Sequence, residues 1–135
     1  MGFTGSAAPA MQKEAKAITV LCVDDEQQTA LGSVLESEGY KVLFAASGSE
    51  GLETFKSEAV NAVILDYWMM DMSGLKLAQQ IRQLSRSVPI IMLSSYIELL
   101  DESLGLVDVW IRKGERSPRY LLNRLAELLD VGSSA

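Results

Sequence analysis

Five short apolar runs alternate with segments of helical periodicity along residues 17–131, and this alternation restricts the fold more than any other feature of the chain. A strand buried on both faces of a parallel sheet reads as a continuous apolar run, whereas a covering helix carries an apolar stripe on one side. Short connections between such elements produce a parallel sheet with helices on both faces. The sequence therefore predicts one α/β domain, built as a three-layer α/β/α sandwich.

The predicted elements follow one another from residue 17 onward. Strands are predicted at residues 17–23, 41–45, 62–66, 88–93 and 106–111, and helices at residues 27–38, 47–59, 77–84, 96–104 and 117–129. Ser47 and Glu50 have the spacing of a capping box, and Pro118 suits the first turn of the last helix. Asp108, inside the fifth apolar run, indicates an edge strand with one face toward solvent.

The two ends of the chain lie outside this pattern. Residues 1–16 contain little that could be buried, and we expect a flexible N-terminal arm or an expression scar there. Residues 17–131 form the predicted domain, and residues 132–135 a C-terminal tail. The leucine stripe of the last helix is more often core than a dimer surface. A homodimer therefore stays an open alternative.

The composition excludes several kinds of site. The chain has no histidine, which rules out a Ser-His triad, an imidazole metal ligand and imidazole acid–base catalysis. Its net charge of −6 and its lack of a basic cluster argue against direct binding of nucleic acid. Cys22 is the single cysteine, which fits a reduced, cytoplasmic setting. No apolar run approaches the ~18 residues that a membrane span needs, so we expect no membrane contact.

Polar residues follow four of the five predicted strands. Asp24 and Asp25 come after the first strand, Asp66 ends the third, Ser94 follows the fourth, and Lys113 follows the fifth. Each has an ordinary structural alternative, as a helix-terminal charge, a cap or a solvated loop lysine. Open parallel sheets, however, keep their ligand sites at the carboxyl ends of the strands. We therefore expect these side chains to meet in one crevice.

The residue types in this crevice suggest a chemistry. Clustered carboxylates repel one another and need a cation or a shared proton. An all-oxygen set of ligands suits a hard divalent ion such as Mg²⁺, which bridges carboxylates to phosphoryl oxygens. A lysine and a hydroxyl bind further phosphoryl oxygens. The set predicts a phosphoryl-transfer site with a carboxylate nucleophile.

At these motifs the chain resembles the response-regulator receiver domains of two-component signalling, in a single-domain, chemotaxis-regulator-like form. The matching stretches are Val23-Asp24-Asp25-Glu26, Asp66-Tyr67-Trp68-Met69 with Gly74, Pro89 to Ser95, and Trp110-Ile111-Arg112-Lys113. The resemblance covers residues 17–131 and implies a flavodoxin-like receiver fold with strand order 2-1-3-4-5. It also implies a phosphoprotein that carries an aspartyl phosphate within a phosphorelay.

The resemblance further implies a role for each site residue. Asp66 is expected to accept a phosphoryl group from a phosphohistidine on a sensor histidine kinase or phosphotransfer protein. Asp25, Asp66 and the Trp68 backbone carbonyl are the implied Mg²⁺ ligands, with Asp24 acting partly through water. Lys113 and Ser94 are implied to hold the phosphoryl oxygens.

A conformational switch is also implied. Trp110 changes rotamer as Ser94 moves inward, and the surface formed by the fourth strand, fourth helix, fifth strand and fifth helix signals to a downstream protein target that the sequence does not identify. We expect no catalysis on a separate substrate: the chain would promote only its own phosphorylation and dephosphorylation.

The chain departs from the family pattern at several positions. Met70 stands where proline is common, Gly114 stands where a proline usually follows the lysine, and the predicted fourth helix is short. Trp68 and Tyr96 each lie two residues beyond a site residue. We hypothesise that both shield the acyl phosphate from water. Partner binding or simple cover of the rim is the alternative role.

Two other functions compete with phospho-acceptance. The departures leave room for an interaction module that keeps the fold and works without phosphorylation. An aspartate-dependent phosphohydrolase would share the carboxylate and lysine. Such an enzyme normally needs an acid–base aspartate two residues after the nucleophile, where this chain has Trp68.

Overall fold

The computed structural model describes residues 17–26, 29–95, 105–114 and 117–134. The strands are β1 (Thr19–Val23), β2 (Lys41–Ala45), β3 (Ala62–Asp66), β4 (Ile90–Ser94) and β5 (Val109–Arg112). The helices of the described residues are α1 (Thr29–Ser37), α2 (Gly48–Ser57), α3 (Gly74–Leu84) and α4 (Pro118–Ser134). The predicted helix at residues 96–104 and the predicted arm at residues 1–16 lie outside the described residues.

All five strands are parallel and form one sheet of order β2-β1-β3-β4-β5, which confirms the predicted order. Every residue of β3 and β4 is buried, as their uninterrupted apolar sequences predict. The edge strands β2 and β5 are partly exposed. The sheet therefore places β3, and with it Asp66, at the centre of the molecule.

Alternate residues of each strand supply two separate cores. Val20, Cys22 and Ile64 point to the face covered by α1 and α4, while Leu21 and Leu65 point to the face covered by α2 and α3. This is the period-2 alternation of a strand with both faces covered. Burying one such aliphatic side chain contributes about 1.5–3 kcal/mol. Since both cores converge on β3, the central strand is held rigidly from two sides.

Three strand boundaries differ from the prediction. The first strand begins at Thr19 rather than residue 17, the fourth spans Ile90–Ser94 rather than residues 88–93, and the fifth spans Val109–Arg112 rather than residues 106–111. The fifth strand starts later than predicted because Gly105 adopts a left-handed φ of 82°, which places a turn ahead of the strand. Asp108, just before β5, bonds to Ile90 twice: its N–H donates to the Ile90 carbonyl at 2.9 Å, and its carboxylate accepts from the Ile90 N–H at 2.8 Å. The edge position of β5 is confirmed.

The predicted helix signals are present. Ser47 accepts a hydrogen bond from the Glu50 N–H at 3.1 Å, and Glu50 reaches back to the Ala46 N–H at 2.9 Å, one residue before the cap. Pro118 is the first residue of α4. This helix continues to Ser134, past the last leucine of the predicted stripe; helix ends are the least predictable boundaries.

Among the described residues, no helix combines the length and apolar character that crossing a membrane requires. Cys22 is a free, buried thiol. Burial, with the nearby charge of Asp24, raises its pKa to about 12. The thiol therefore stays protonated and packs as a small apolar side chain.

Candidate functional site

The register of the sheet brings the predicted site residues to one edge. Leu65, just before Asp66, pairs with Val23, just before Asp24. On the other side, Ser94 at the end of β4 pairs with Arg112, the residue before Lys113. The four strand ends thus converge as predicted.

Three carboxylates form an acidic cluster at this edge, consisting of Asp24, Asp25 and Asp66. Each offers one oxygen, and these oxygens all lie within 4.8 Å of one another. Asp24 and Asp66 are buried, with 8% and 4% of their surfaces exposed, while Asp25 is exposed. One side of the cluster is therefore open to an incoming ion or phosphoryl group.

Asp24 carries an unsatisfied atom that fits a cation. Its Oδ1 accepts a hydrogen bond from the Glu26 N–H at 2.8 Å. Its Oδ2 is buried and has no hydrogen-bond partner among the residues that the structure describes. Buried acceptors without partners are rare and costly in folded proteins. A hard cation with oxygen ligands would satisfy this atom and the neighbouring carboxylates together.

Lys113 supplies the positive charge of the site. Its Nζ lies 2.7 Å from Asp66 Oδ1, and its backbone N–H donates to the Ser94 carbonyl at 2.9 Å. Gly114 follows with a left-handed φ of 81°, a conformation closed to proline, whose φ is fixed near −65°. The backbone after Lys113 therefore follows a course that a proline at position 114 could not adopt, and the Lys113 side chain still contacts the acidic cluster.

The ionisation of this pair is set by opposing influences. Burial raises the pKa of Asp66, the Lys113 ammonium lowers it, and the charges of Asp24 and Asp25 raise it, with a net increase. Burial alone would lower the pKa of Lys113, but Asp66 and the other acids more than offset this and raise it. Lys113 is thus protonated at neutral pH, and ionising Asp66 in the folded protein costs more free energy than ionising an exposed aspartate.

The two predicted switch residues lie in the neighbouring strands β4 and β5. Ser94 is buried, with 2% of its surface exposed. Trp110 is half-buried, and its ring centroid lies 6.1 Å from that of Tyr67, with the planes at 40°. Tyr67 in turn meets Trp68 edge-on, at 5.0 Å and 84°. Tyr67 therefore connects the strand-end residues to Trp110, a link that the sequence analysis missed.

The β3–α3 loop, defined as residues 67–73, closes tightly against the strand end. The Gly74 N–H donates to the Tyr67 carbonyl at 2.7 Å, and a Cβ at Gly74 would lie 2.4 Å from the Asp66 carbonyl oxygen. Only glycine permits this approach. Trp68 and Met70 project from the loop with 59% and 94% of their surfaces exposed. Tyr96, the other predicted rim residue, lies outside the described residues.

Comparison with known proteins places this geometry in a family. The model of the response regulator receiver domain matches residues 20–106. The chain is 36% identical over 115 residues to the alkaline phosphatase synthesis transcriptional regulatory protein PhoP of Bacillus subtilis, covering 82% of this chain and 48% of that protein. It is 37% identical over 126 residues to the probable transcriptional regulator ycf27 of Porphyridium aerugineum, covering 88% and 49%. The chain spans about half the length of these curated relatives.

Solved structures agree. A CheY-like response regulator receiver domain protein from Methanospirillum hungatei superimposes with a TM-score of 0.80 at 32% identity, covering 88% of this chain and 98% of that one. The response regulator TrrA from Thermotoga maritima, solved in complex with Mg²⁺-BeF, gives a TM-score of 0.76 at 31% identity, covering 82% and 98%. With its order 2-1-3-4-5 sheet, its acidic cluster and its strand-end lysine, the chain belongs to the response regulator receiver domain family.

Proposed function

We propose that this protein is a phospho-accepting receiver of a two-component system, in which Asp66 takes a phosphoryl group from a phosphohistidine on a sensor histidine kinase or phosphotransfer protein. One observation carries the proposal: the buried carboxylate of Asp66 lies 2.7 Å from the Lys113 ammonium and within 4.8 Å of two further carboxylates. A purely structural carboxylate gains nothing from two acidic neighbours. A phosphoryl acceptor benefits from such neighbours, because all three carboxylates can bind the same cation.

Phosphoryl transfer to Asp66 exchanges one bond to phosphorus for another. A carboxylate oxygen of Asp66 attacks phosphorus and forms a P–O bond while the P–N bond to the donor imidazole breaks. The electron pair leaves on the imidazole nitrogen, which takes a proton and departs neutral. Lys113 stabilises the charge on the phosphoryl oxygens and holds the acceptor in place, and the Ser94 hydroxyl donates to one of these oxygens.

The acidic cluster is the proposed magnesium site. Asp25, Asp66 and the Trp68 backbone carbonyl would ligate the ion, and Asp24 would act partly through water. When bound, the ion supplies the positive charge that the carboxylates and the transferring phosphoryl group lack. The buried Oδ2 of Asp24, which has no hydrogen-bond partner among the described residues, supports this assignment.

The phosphoryl group is proposed to act on a surface through Lys113, Ser94 and Trp110. It adds a charge of about −1.5 to −2 at neutral pH, which pulls Ser94 and Lys113 toward Asp66. The Lys113 N–H is already bonded to the Ser94 carbonyl, so the ends of β4 and β5 move together. Trp110 then changes rotamer, and the altered surface binds a downstream protein in the cytoplasm. The chain promotes only its own phosphorylation and dephosphorylation.

Labelling with acetyl phosphate tests the proposal. With Mg²⁺ present, intact-mass spectrometry should detect one added phosphoryl group on the wild type. Omitting Mg²⁺ or substituting Asp66→Asn should abolish the signal. Glu53→Gln, which removes an exposed carboxylate of α2, should be labelled like the wild type. Absence of labelling in a folded wild type, or full labelling of Asp66→Asn, contradicts the proposal.

An interaction module that works without phosphorylation is the second candidate. The exposed side chains of Trp68 and Met70 beside the site favour it, because they form an apolar surface suited to a partner. This candidate predicts that Asp66→Asn binds its partner as tightly as the wild type and that acetyl phosphate changes nothing.

A further inference from the structure

We propose that Asp71 is a positioning residue: it ties the β3–α3 loop to the amino end of α2 and so fixes the Trp68 carbonyl where it can ligate Mg²⁺. This inference rests on the proposed function, since it concerns the same magnesium site. It assigns a role to a loop carboxylate that lies outside the acidic cluster.

The Asp71 carboxylate is bonded to residues that lie far from it in the chain. Its Oδ1 accepts from the Gly48 N–H at 2.9 Å, and its Oδ2 accepts from both the N–H and the hydroxyl of Ser49, each at 2.9 Å. Gly48 and Ser49 open α2, where the first N–H groups have no partners inside the helix. The Ser47 hydroxyl accepts from the Glu50 N–H in the same turn. Asp71 therefore satisfies the two remaining N–H groups of that turn, those of Gly48 and Ser49.

The carboxylate form suits this position. The backbone N–H groups of Gly48 and Ser49 lower the pKa of Asp71, which keeps it ionised at neutral pH. A negative charge also interacts favourably with the positive end of the helix dipole. Asparagine could keep one acceptor oxygen here, but it would lose the charge and the second acceptor.

The other end of the loop is tied to the sheet. The Tyr67 N–H donates to the Leu93 carbonyl at 2.9 Å, and the Tyr67 carbonyl accepts from the Gly74 N–H at 2.7 Å. Trp68 to Met70 therefore form a three-residue span between Tyr67, which is bonded to β4, and Asp71, which is bonded to α2. The Trp68 carbonyl, an expected magnesium ligand, lies inside this span.

Met69, in the middle of the span, is partly buried against the apolar core, whereas its two neighbours are exposed. Trp68 and Met70 are 59% and 94% exposed, so their side chains bury little surface that could fix the backbone. Met72 lies over Gly48, where a Cβ would approach its Cγ to 2.3 Å, and this contact anchors the same side of the loop as Asp71. The contact of Met69 with the core and the Asp71 hydrogen bonds therefore hold the Trp68 carbonyl together, Met69 from one side of the span and Asp71 from its end.

Magnesium titration followed by tryptophan fluorescence tests this role, because the exposed Trp68 indole reports on the loop. We expect Asp71→Asn to raise the Kd for Mg²⁺ about tenfold, the lower end of the effect of residues that orient metal ligands. Ser49→Pro removes two of the three donors and keeps the Asp71 charge; proline is tolerated in a first helical turn. It should also raise the Kd. Glu53→Gln, which removes a charge elsewhere on α2, should leave it within about twofold of wild type.

The outcomes separate two failures. If the wild type binds no Mg²⁺, the proposed function fails, and this inference fails with it. If the wild type binds Mg²⁺ and folded Asp71→Asn binds it equally well, only the positioning role is overturned. The role is also overturned if the loss in Asp71→Asn vanishes at high salt, where long-range attraction by a charge is screened. A loss that persists in high salt supports it, whether or not Ser49→Pro folds.

Discussion

The two ends of the parallel sheet each carry an ion pair, and the two pairs are built differently. At the amino end, the Arg82 guanidinium lies 3.0 Å from Asp108 Oδ2, which also accepts from the Ile90 N–H at 2.8 Å. Arg82 donates further to the Val88 carbonyl. At the carboxyl end, Lys113 faces Asp66 among acidic neighbours, and Asp24 Oδ2 is buried without a partner among the described residues.

The candidate site thus differs from a structural ion pair, although each joins a basic side chain to an aspartate. The Arg82–Asp108 pair has its hydrogen-bonding groups occupied, because Arg82 also donates to the Val88 carbonyl and Asp108 also accepts from the Ile90 N–H. The Lys113–Asp66 pair leaves net negative charge and an unsatisfied acceptor, so it remains open to a cation. Strained electrostatics of this kind are typical of sites that bind or react.

The largest expected difference between the ends is in phosphorylation. Lys113→Ala should lower the rate of labelling by acetyl phosphate about 100-fold or more, since it removes the charge that stabilises the phosphoryl oxygens. Arg82→Ala should leave the rate within about twofold, because its pair lies at the opposite end of the sheet. Both rates can be followed by intact-mass spectrometry. Equal losses in the two variants would mean that labelling reports general stability rather than the site.

The second difference is in stability and concerns the amino end. Asp108→Ala leaves the buried Ile90 N–H without its acceptor and Arg82, whose side chain is only 12% exposed, without its carboxylate. We expect the free energy of unfolding to fall by about 1–3 kcal/mol, the cost of an unsatisfied buried group. Urea denaturation would measure this, with Glu53→Gln as the control. A loss below about 0.5 kcal/mol, the range of neutral surface changes, would show that water replaces the carboxylate.

A third experiment compares two carboxylates whose pKa values are shifted in opposite directions, Asp66 and Asp71. The pKa of Asp66 is raised, chiefly by burial, so the stability that its protonated form contributes is present below the ordinary pKa and lost as pH rises through the raised one. Without Mg²⁺, Asp66→Asn should therefore raise Tm by about 3 °C at neutral pH. This advantage should disappear in acid.

Asp71 should behave in the opposite way. Its pKa is lowered by the backbone N–H groups of Gly48 and Ser49, so its contribution is present above the ordinary pKa and lost as pH falls through the lowered one. Asp71→Asn should then lower Tm at neutral pH and have no effect in acid. Thermal melts across this range decide both signs. If Asp66→Asn melts below the wild type at neutral pH, the ion pair with Lys113 stabilises the protein by more than burial of the Asp66 charge destabilises it.

The sequence predicted the features that depend on local pattern. Continuous apolar runs identified β3 and β4, Ser47 and Glu50 marked the start of α2, and the strand-end residues were assembled correctly because parallel strands share one carboxyl edge. The fifth strand was placed three residues too early at its start, because Leu106 and Val107 are as apolar as the strand itself. They are excluded by the turn at Gly105 and by the bonds of Asp108 to Arg82 and Ile90, and these bonds are tertiary features.

Asp71 shows why part of the site could not be predicted. An acidic residue in a loop carries no pattern of its own, and its partners, Gly48 and Ser49, lie 23 and 22 residues away in the chain. Only the packing of α2 beside the β3–α3 loop brings them together. The contact of Tyr67 with Trp110 is hidden for the same reason, because it joins a loop to the edge strand two positions away in the sheet.

The smallest expected effect concerns how long the carboxyl end keeps a phosphoryl group. The amino-end pair is bonded to backbone groups, whereas the exposed Trp68 side chain lies two residues beyond Asp66. We expect a Trp68→Asn, Tyr96→Glu variant to shorten the half-life of the aspartyl phosphate about threefold, or about 0.6 kcal/mol in barrier height, because a smaller and more polar rim admits water. Loss of label after removal of acetyl phosphate measures it, with Met70→Ala as a control in the same loop. A half-life equal to that of the wild type would assign these aromatics to partner binding.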